Sequence, residues 1–283
     1  MPTTQGPTFR ELAVQALSST ERGYDLLAPK FDHSPYRTPD RVLDAVTGGL
    51  RPLGPFARGL DVCCGTGAGI GVLRQVCHER VAGVDFSAGM LAVARSSLPD
   101  ATADPGGRTE AAAGASQTPA GGAEAQAGGV EAQAGATEAP AVKPGPVVDW
   151  VRADARALPF APAFDLALSL GAFGHFLPRE RPALFAQVHA SLRPGGQFVF
   201  PVGAPPALGS RAYWTLLGFD AAMRVRNALW RPRFVMYYRT FRLPDVLTDL
   251  AATGFSVRLS PLTDLGTRPD GSPRARLVVA TAR

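Results

Sequence analysis

Hydrophobic positions along the chain alternate between short continuous runs and segments with helical spacing. Residues 8–50 predict two or three short helices. Residues 9–17 carry apolar side chains at helical spacing, and Pro39-Asp40 opens a helix that Gly48-Gly49 closes. The chain therefore begins with a helical segment.

After Pro55 the pattern changes to alternating strand and helix. An apolar run at 59–63 ends in a glycine-rich turn, and 70–77 has helical spacing. A second apolar run occupies 81–85, after which Ser87 is expected to N-cap a helix to about residue 97. This β-α-β-α order predicts a parallel sheet.

Residues 99–146 interrupt this alternation. The stretch has no aromatic residue and few large aliphatic residues, and it repeats forms such as Gly-Gly-Ala-Glu-Ala-Gln-Ala-Gly. Burial of so few apolar groups does not offset the entropy of ordering a chain, so we predict a disordered insertion. An Ala-rich helix is the alternative, which the scattered Gly and Pro residues oppose.

The α/β alternation resumes after the insertion. The remaining pattern predicts strands at 147–152, 164–170 and 197–202, helices at 178–192 and 244–253, and a final antiparallel pair of strands at 255–259 and 275–282.

Between the fifth and sixth predicted strands, residues 205–243 form a basic aromatic segment. Residues 211–242 contain seven arginines and one acid, Asp220, and this segment alone exceeds the net charge of +5 of the whole chain. Part of the segment should be an amphipathic helix, with apolar residues at helical spacing: Trp214, Leu217, Ala221, Val225 and Ala228. Two interpretations stay open, a lid with solvated arginines and a site for an anionic or lipid-like molecule.

Cysteine usage and the N-terminus bear on the cellular location. The three cysteines include the adjacent Cys63 and Cys64, a spacing that suits neither a zinc site nor a disulfide framework. The first ten residues are polar, and no apolar run approaches the ~20 residues that span a bilayer. We expect a cytoplasmic protein without a transmembrane segment, for which peripheral membrane contact stays possible.

The glycine-rich turn Asp61-Val62-Cys63-Cys64-Gly65-Thr66-Gly67 is the first candidate for a binding site. In a doubly wound sheet the turn after the first strand lies closest to the ligand, and glycine lets the backbone approach it. A dinucleotide fingerprint would require a third glycine at position 70 or 72, where Ile70 and Val72 stand instead. The phosphate-binding Gly-Lys-Ser/Thr motif is also missing.

Three acids lie at the ends of three predicted strands. Asp61 belongs to the first, Asp85 ends the second, and Asp154 follows the third. They suit a cofactor that carries an amine, a ribose and an adenine, whereas phosphates would be repelled. An adenosyl cofactor without phosphates is therefore favoured.

The sequence also resembles class I S-adenosylmethionine-dependent methyltransferases, in particular the quinone-methylase-like group. Five segments in order carry the resemblance, at 60–67, 83–87, 154–160, 164–169 and 192–196. The resemblance covers roughly residues 20–98 and 147–202. It implies a Rossmann-like, doubly wound α/β fold, in which a seven-stranded sheet has a reversed last strand.

The resemblance implies a domain organisation and a set of cofactor residues. Residues 1–50 would be an N-terminal helical cap and 51–283 the methyltransferase domain, with the insertion at 99–146 and a substrate-side subdomain at 205–243. The residues implied for the S-adenosylmethionine site are Tyr24, Asp61, Cys63, Gly65, Thr66, Gly67, Asp85, Phe86, Met90, Asp154, Ala155 and Ser169. One departure is Cys63, which stands where the family more usually has a glycine.

Other reactive side chains have both an ordinary and a functional interpretation. Cys63 and Cys64 are expected to be small buried thiols and not redox or metal residues, and Asp165 is expected to organise a turn. His175 follows the fourth strand and is the candidate catalytic base, although a histidine there could equally shape the loop.

We therefore predict transfer of a methyl group from S-adenosylmethionine to a small organic acceptor by in-line displacement. An O-, N- or C-nucleophile, in a natural product, a quinone or a lipid, would serve as acceptor, and no nucleic-acid or metal partner is expected. The alternatives are a catalytically silent methyltransferase-like binding module and an NAD-dependent oxidoreductase. The oligomeric state stays open.

Overall fold

The computed structural model describes residues 6–98 and 145–283. The predicted insertion at 99–146 lies almost wholly outside the described residues. Eight α-helices, seven strands and five short 3₁₀-helices follow one another along the described chain. The helices are α1 Phe9–Leu17, α2 Thr20–Leu27, α3 Asp40–Leu50, α4 Ala68–Val76, α5 Ala88–Ser97, α6 Arg181–Ser191, α7 Arg211–Leu229 and α8 Leu243–Ala252. The strands are β1 Phe56–Val62, β2 Cys77–Asp85, β3 Val147–Arg152, β4 Phe164–Leu168, β5 Leu192–Gly203, β6 Phe255–Pro261 and β7 Ala275–Ala282.

The seven strands form one sheet in the order β3-β2-β1-β4-β5-β7-β6. Strands β1 to β5 pair in parallel, whereas β7 runs antiparallel to both β5 and β6. The chain winds outward from β1 in both directions, so β1 and β4 meet where the winding reverses. The predicted doubly wound sheet with a reversed last strand is confirmed.

Two apolar layers cover the sheet because successive strand residues point to opposite faces. Along β5, Phe198 and Phe200 face a layer that includes α6 and α8, and Val199 faces the layer that contains α3 and α4. These side chains are fully buried.

Local signals in the sequence set most element boundaries. Ser87 caps α5, as predicted, since its hydroxyl accepts a hydrogen bond from the Met90 N–H at 3.1 Å. Thr8 and Glu11 form a capping box at α1, and Gly254, with φ of 94°, follows α8. The N-terminal helices, the strands and the last antiparallel pair lie within a few residues of their predicted positions.

The predicted helix in this segment, α7, is confirmed. Unlike an ordinary surface helix, it has polar residues on its buried side and apolar residues on its exposed side. Its buried positions include the polar residues Asp220 and Asn227. Trp214 and Val225, on the predicted apolar face, are exposed. The amphipathic pattern therefore predicted the helix correctly and did not predict which face is buried.

Candidate active site

The glycine-rich turn between β1 and α4 has three residues in the left-handed region, Cys63 (φ 61°), Gly65 (φ 54°) and Gly67 (φ 93°). Glycine adopts this conformation without steric cost, whereas a residue with a Cβ loses roughly 1 kcal/mol. The Gly65 N–H donates to Asp85 Oδ2 at 2.9 Å, which ties the turn to the end of β2. Cys63 thus holds a backbone conformation that explains why glycine is the more usual residue there.

A cavity of about 370 Å³ opens beside this turn, at the carboxyl ends of the central strands. Its size lies within the range of small-molecule sites. Eleven of the thirteen predicted site residues line it: Tyr24, Asp61, Cys63, Gly65, Thr66, Asp85, Phe86, Met90, Asp154, Ala155 and His175.

Gly67 and Ser169 lie behind the cavity wall. The Ser169 hydroxyl donates to the Val62 carbonyl at 2.8 Å, so it links β4 to β1. A Cβ on Gly67 would press against Leu98 and Trp150. In the structure both residues support the wall and do not face the cavity, and the cavity is lined beyond β4 by Leu170 and Gly171.

Asp61 is a buried carboxylate without a hydrogen-bond partner. It is 1% exposed, and among residues 6–98 and 145–283 neither of its oxygens has a partner. Burial raises its pKa to about 8, the charge of Asp85 adds to the rise, and the backbone of Ile70 opposes it. The carboxylate packs on Gly69, where any Cβ would overlap Asp61 Oδ2. Asp61 is thus suited to accept from a bound ammonium group.

Asp85 organises the backbone around it as well as lining the cavity. Besides the Gly65 bond, it accepts from the Ser87 N–H at 2.9 Å. Burial raises its pKa, and the hydrogen bonds from Ser87 and Gly65 oppose that rise. A carboxylate has about four acceptor positions, so two remain for a pair of hydroxyl groups such as those of a ribose.

Asp154 is engaged by a neighbouring cation. The Asp154 carboxylate oxygens accept hydrogen bonds from Nε and Nη2 of Arg156 at 2.6 to 3.1 Å. These hydrogen bonds lower the pKa of Asp154. Arg156 also reaches Glu180 at 2.6 Å. Asp154 therefore lies at the rim as part of an ion-pair chain, an arrangement that its sequence position did not indicate.

Tyr24 and His175 form a half-buried pair that lines the cavity. Tyr24 Oη lies 2.7 Å from His175 Nε2, and His175 Nδ1 lies 2.6 Å from the Val235 carbonyl oxygen. A carbonyl only accepts, so Nδ1 carries the proton and Nε2 of the neutral ring accepts from the Tyr24 hydroxyl. Burial lowers the pKa of His175 and raises that of Tyr24, which keeps both side chains neutral at pH 7.

The N-terminal segment contributes more to the site than the sequence indicated. Phe31 and Tyr36 line the cavity, and Asp32 accepts a hydrogen bond from the Thr66 hydroxyl at 2.6 Å. Asp25 accepts from the Ser87 hydroxyl at 2.6 Å and from the Gly89 N–H at 2.9 Å. The only signal for Asp25 and Asp32 in the sequence was their proximity to Tyr24. Their hydrogen bonds connect the N-terminal helical segment to the glycine-rich turn and to the start of α5.

The far wall of the cavity comes from a loop that α7 holds in place. Met236 and Tyr238 line the cavity. The buried Asp220 accepts from the N–H groups of Tyr238 and Arg239 at 2.8 and 3.0 Å. The buried polar residues of α7 therefore shape one side of the site.

The remaining reactive side chains have structural surroundings. Burial raises the pKa of all three thiols, that of Cys77 to about 12, so they are poor nucleophiles. Asp165 accepts from the N–H groups of Ala57 and Arg58 and pairs with Arg193. It thereby joins β4 to the start of β1, away from the cavity.

Comparisons of the sequence with known families give two matches. A family described as "Methyltransferase domain" matches residues 60–119, and a second family with the same description matches residues 120–196. The matched residues include the glycine-rich turn, Asp85, Asp154 and His175. No curated protein matches the sequence.

Solved structures with the same fold include TnmH, at 17% identity and a TM-score of 0.56 over 98% of this chain and 62% of that one. The YcgJ protein from Bacillus subtilis has 14% identity and a TM-score of 0.51, over 87% of this chain and 99% of that one. The S-adenosylmethionine dependent methyltransferase from Mesorhizobium loti has 22% identity and a TM-score of 0.47, over 84% of this chain and 99% of that one. At such identities TnmH and YcgJ show that the fold is shared.

Proposed function

We propose that this class I S-adenosylmethionine-dependent methyltransferase methylates a small, largely apolar organic molecule that carries an acidic hydroxyl group. The observation that carries this proposal is the half-buried pair of Tyr24 and neutral His175 in an aromatic-lined cavity. A free amine or thiol acceptor would have less use for such a pair.

The carboxylates supply the cofactor side of the proposal. The unpartnered Asp61 would accept from the α-ammonium group of the methionine part, and Asp85 would accept from ribose hydroxyls. Ala155 and Asp154 would border the adenine. When bound, S-adenosylmethionine would supply an activated methyl group, whose bond to the positively charged sulfur breaks as a bond to an aligned nucleophile forms, with the neutral thioether as leaving group.

The acceptor side is formed by aromatic and apolar side chains. Phe31, Tyr36, Phe176, Met236 and Tyr238 line the cavity from three separate segments. They would exclude water and hold a flat apolar molecule by stacking. The domain boundary proposed for the substrate-side subdomain, 205–243, includes the last two of these residues but omits the N-terminal contribution.

The pair of Tyr24 and His175 would remove the acceptor's proton. The acceptor hydroxyl would donate its proton to Tyr24 Oη while Tyr24 passes its own proton to His175 Nε2, so Tyr24 stays neutral. The Val235 carbonyl, which already accepts from Nδ1 at 2.6 Å, would stabilise the imidazolium that results. The acceptor oxygen would thus become nucleophilic as the methyl group approaches.

Two measurements test this proposal. Calorimetric titration should give heat with S-adenosylmethionine and S-adenosylhomocysteine and none with NAD; absence of heat with both adenosyl ligands would contradict it. Methyl transfer should then be assayed with matched pairs of phenols and anilines on the same ring systems. A preference for anilines would contradict the proposed acceptor class. No transfer to any compound would contradict it too and would favour a silent binding module.

The free thiols bear on location. Cys63, Cys64 and Cys77 are all unpaired, which supports a reducing compartment such as the cytoplasm. No helix of residues 6–98 and 145–283 is both long and apolar enough to cross a bilayer.

A further inference from the structure

Helix α7 presents an apolar face to solvent along its whole length. Trp214 is 60% exposed, Val225 is 59% exposed and Leu229 is 80% exposed. Ala221 lies between Trp214 and Val225 on the same side of the helix, and a Cβ on Gly218 would meet no atom within 4 Å. Leu208, before the helix, and Trp230, after it, extend the exposed apolar surface at both ends.

Helix α7 is about 28 Å long, since it has 19 residues, and its exposed apolar residues run from Trp214 to its last residue, Leu229. The inward side of α7 already has its own partners, because Asp220 and Asn227 bond the loop at 234–239. Helix α7 is therefore packed on the protein through its inward side, and its apolar outward residues are not needed for that packing. A continuous exposed apolar surface of this kind is typical of a site that binds another protein or a membrane.

The exposed charged residues among 211–242 are all positive. Six exposed arginines lie in and after the helix: Arg211, Arg224, Arg231, Arg233, Arg239 and Arg242. In the part of the chain that the structure describes, none of the six forms a salt bridge, and Asp220, the one acid among residues 211–242, is buried. The docking partner must therefore be both apolar and negatively charged.

We propose that this exposed face of α7 docks on an anionic phospholipid bilayer. Tryptophan favours the boundary between headgroups and acyl chains, and each arginine near an anionic surface adds about 1 kcal/mol of attraction. A second copy of the chain fits less well, because a symmetric pair of α7 helices would bring the same arginines together. Docking would place the loop that carries Met236 and Tyr238, one wall of the cavity, close to the bilayer.

The test is sedimentation of the full chain with vesicles of phosphatidylcholine alone and of an equimolar mixture of phosphatidylcholine and phosphatidylglycerol. The mixed vesicles should bind the protein at least tenfold more tightly, and the binding should weaken as salt is added. Fluorescence of Trp214 and Trp230 should shift to shorter wavelength on binding. Equal binding to both kinds of vesicle, or binding to neither, would overturn the proposal.

Matched variants localise the effect. Val225→Asp should weaken binding to the mixed vesicles about tenfold or more, whereas Val14→Asp, at a half-exposed valine of α1, should leave it within about twofold. The double variant Arg231→Gln, Arg233→Gln removes two positive charges just after the helix and leaves the helix itself unchanged. It should also weaken binding to the mixed vesicles. Equal loss with Val14→Asp would overturn the proposal. So would a lipid-free dimer that Val225→Asp dissociates, which would assign the face to a second copy.

These measurements are independent of methyl transfer. Vesicle binding does not require an acceptor, so its failure would leave the proposed reaction untouched, and failure of the phenol assay would leave the docking surface untouched.

Discussion

At the residue scale, the buried Asp61 is unfavourable for the stability of the cofactor-free protein and suited to cofactor binding. Its pKa is raised to about 8 from an ordinary value of 3.8, so the folded protein holds this proton more tightly than the unfolded chain does. This stabilising contribution is complete below about pH 4 and is lost as pH rises to about 8. Above that range the cofactor-free protein contains an ionised buried carboxylate without a partner.

Asp61→Asn should remove this conflict at the expense of binding. At pH 9 we expect the free energy of unfolding of the cofactor-free variant to exceed that of the wild type by about 1–3 kcal/mol, with little difference at pH 4. Affinity for S-adenosylmethionine should fall at least tenfold. Urea denaturation across pH, combined with calorimetric titration, measures both; a variant that is less stable than the wild type at pH 9 would contradict the assignment.

The Tyr24 and His175 pair leads to a kinetic prediction. His175→Asn retains a side-chain donor for the Val235 carbonyl but lacks the acceptor for Tyr24, and Tyr24→Phe retains the ring but lacks the hydroxyl. Each should lower kcat for a phenol about 100-fold while changing cofactor affinity less than about threefold. The double variant should be little worse than either single variant, because both act in one proton transfer.

The pH profile provides the control. Because burial lowers the pKa of His175, the wild-type rate should be flat across neutral pH and fall only in acid. A rate that titrates near pH 7, or single variants with unchanged kcat, would show that the pair only shapes the cavity.

Many of the residues that line the cavity could be predicted from the sequence, because they lie at or after strand ends. Asp61 and Asp85 lie at the carboxyl ends of β1 and β2, and His175 follows β4. Because these strand ends meet at one edge of the sheet, the βαβ pattern alone predicts that the three residues converge. The pairing of Tyr24 with His175 spans 151 positions, and no local pattern reports such a contact. The Asp154 ion pair was missed for a different reason, since a side chain only two residues away competes for the carboxylate.

At the element scale, α7 acts as a frame for the loop that follows it. The Asn227 side chain donates to the Phe234 carbonyl at 2.9 Å and to Tyr237 Oη at 3.0 Å, and accepts from the Phe234 N–H at 3.0 Å. All three bonds are buried, so their loss leaves polar backbone groups without partners.

Asn227→Ala should therefore lower the free energy of unfolding by about 2 kcal/mol and loosen the cavity wall. We expect faster amide hydrogen exchange at Phe234 and a higher KM for the acceptor, with unchanged cofactor affinity. Thr215→Ala, on the exposed part of the same helix, should change the stability by less than about 0.5 kcal/mol. Equal effects of the two variants would contradict the framing role of Asn227.

The elements themselves were largely predictable because periodicity reports burial. The short apolar runs became the strands of the sheet, and β3 has the predicted bounds of 147–152. Periodicity failed at α7, where it identified the helix through Trp214 and Val225 but could not show that these residues lie outside. An apolar stripe indicates that one face of a helix is to be buried. It does not indicate whether the rest of the protein or a binding partner buries that face.

At the scale of the whole molecule, the sheet is split in sequence between α5 and β3. The described chain stops at residue 98 and continues at 145, yet β2 and β3 pair in parallel from Arg80 with Val147 to Asp85 with Arg152. The register of this pairing is therefore carried by residues on either side of the predicted insertion.

Replacement of residues 99–144 by a linker of about ten Gly and Ser residues tests the predicted insertion. Since the segment has no aromatic residue to bury, we expect the free energy of unfolding to be unchanged or higher by about 1 kcal/mol, from the shorter loop. Affinity for S-adenosylmethionine should stay within about twofold. A loss of more than about 3 kcal/mol, or of cofactor binding, would mean that the segment belongs to the domain.

The contact between Asp61 and Gly69 also constrains how this sequence can diverge. A side chain of any size at position 69 would displace the carboxylate, so the two positions are expected to be inherited together: lineages that keep the acid must keep the glycine. Gly69→Ala alone should impair folding, and the added change Asp61→Ser should rescue folding without rescuing cofactor affinity. Among related sequences, joint loss of the acid at position 61 and the glycine at position 69 would thus indicate that binding of the methyl donor has been lost.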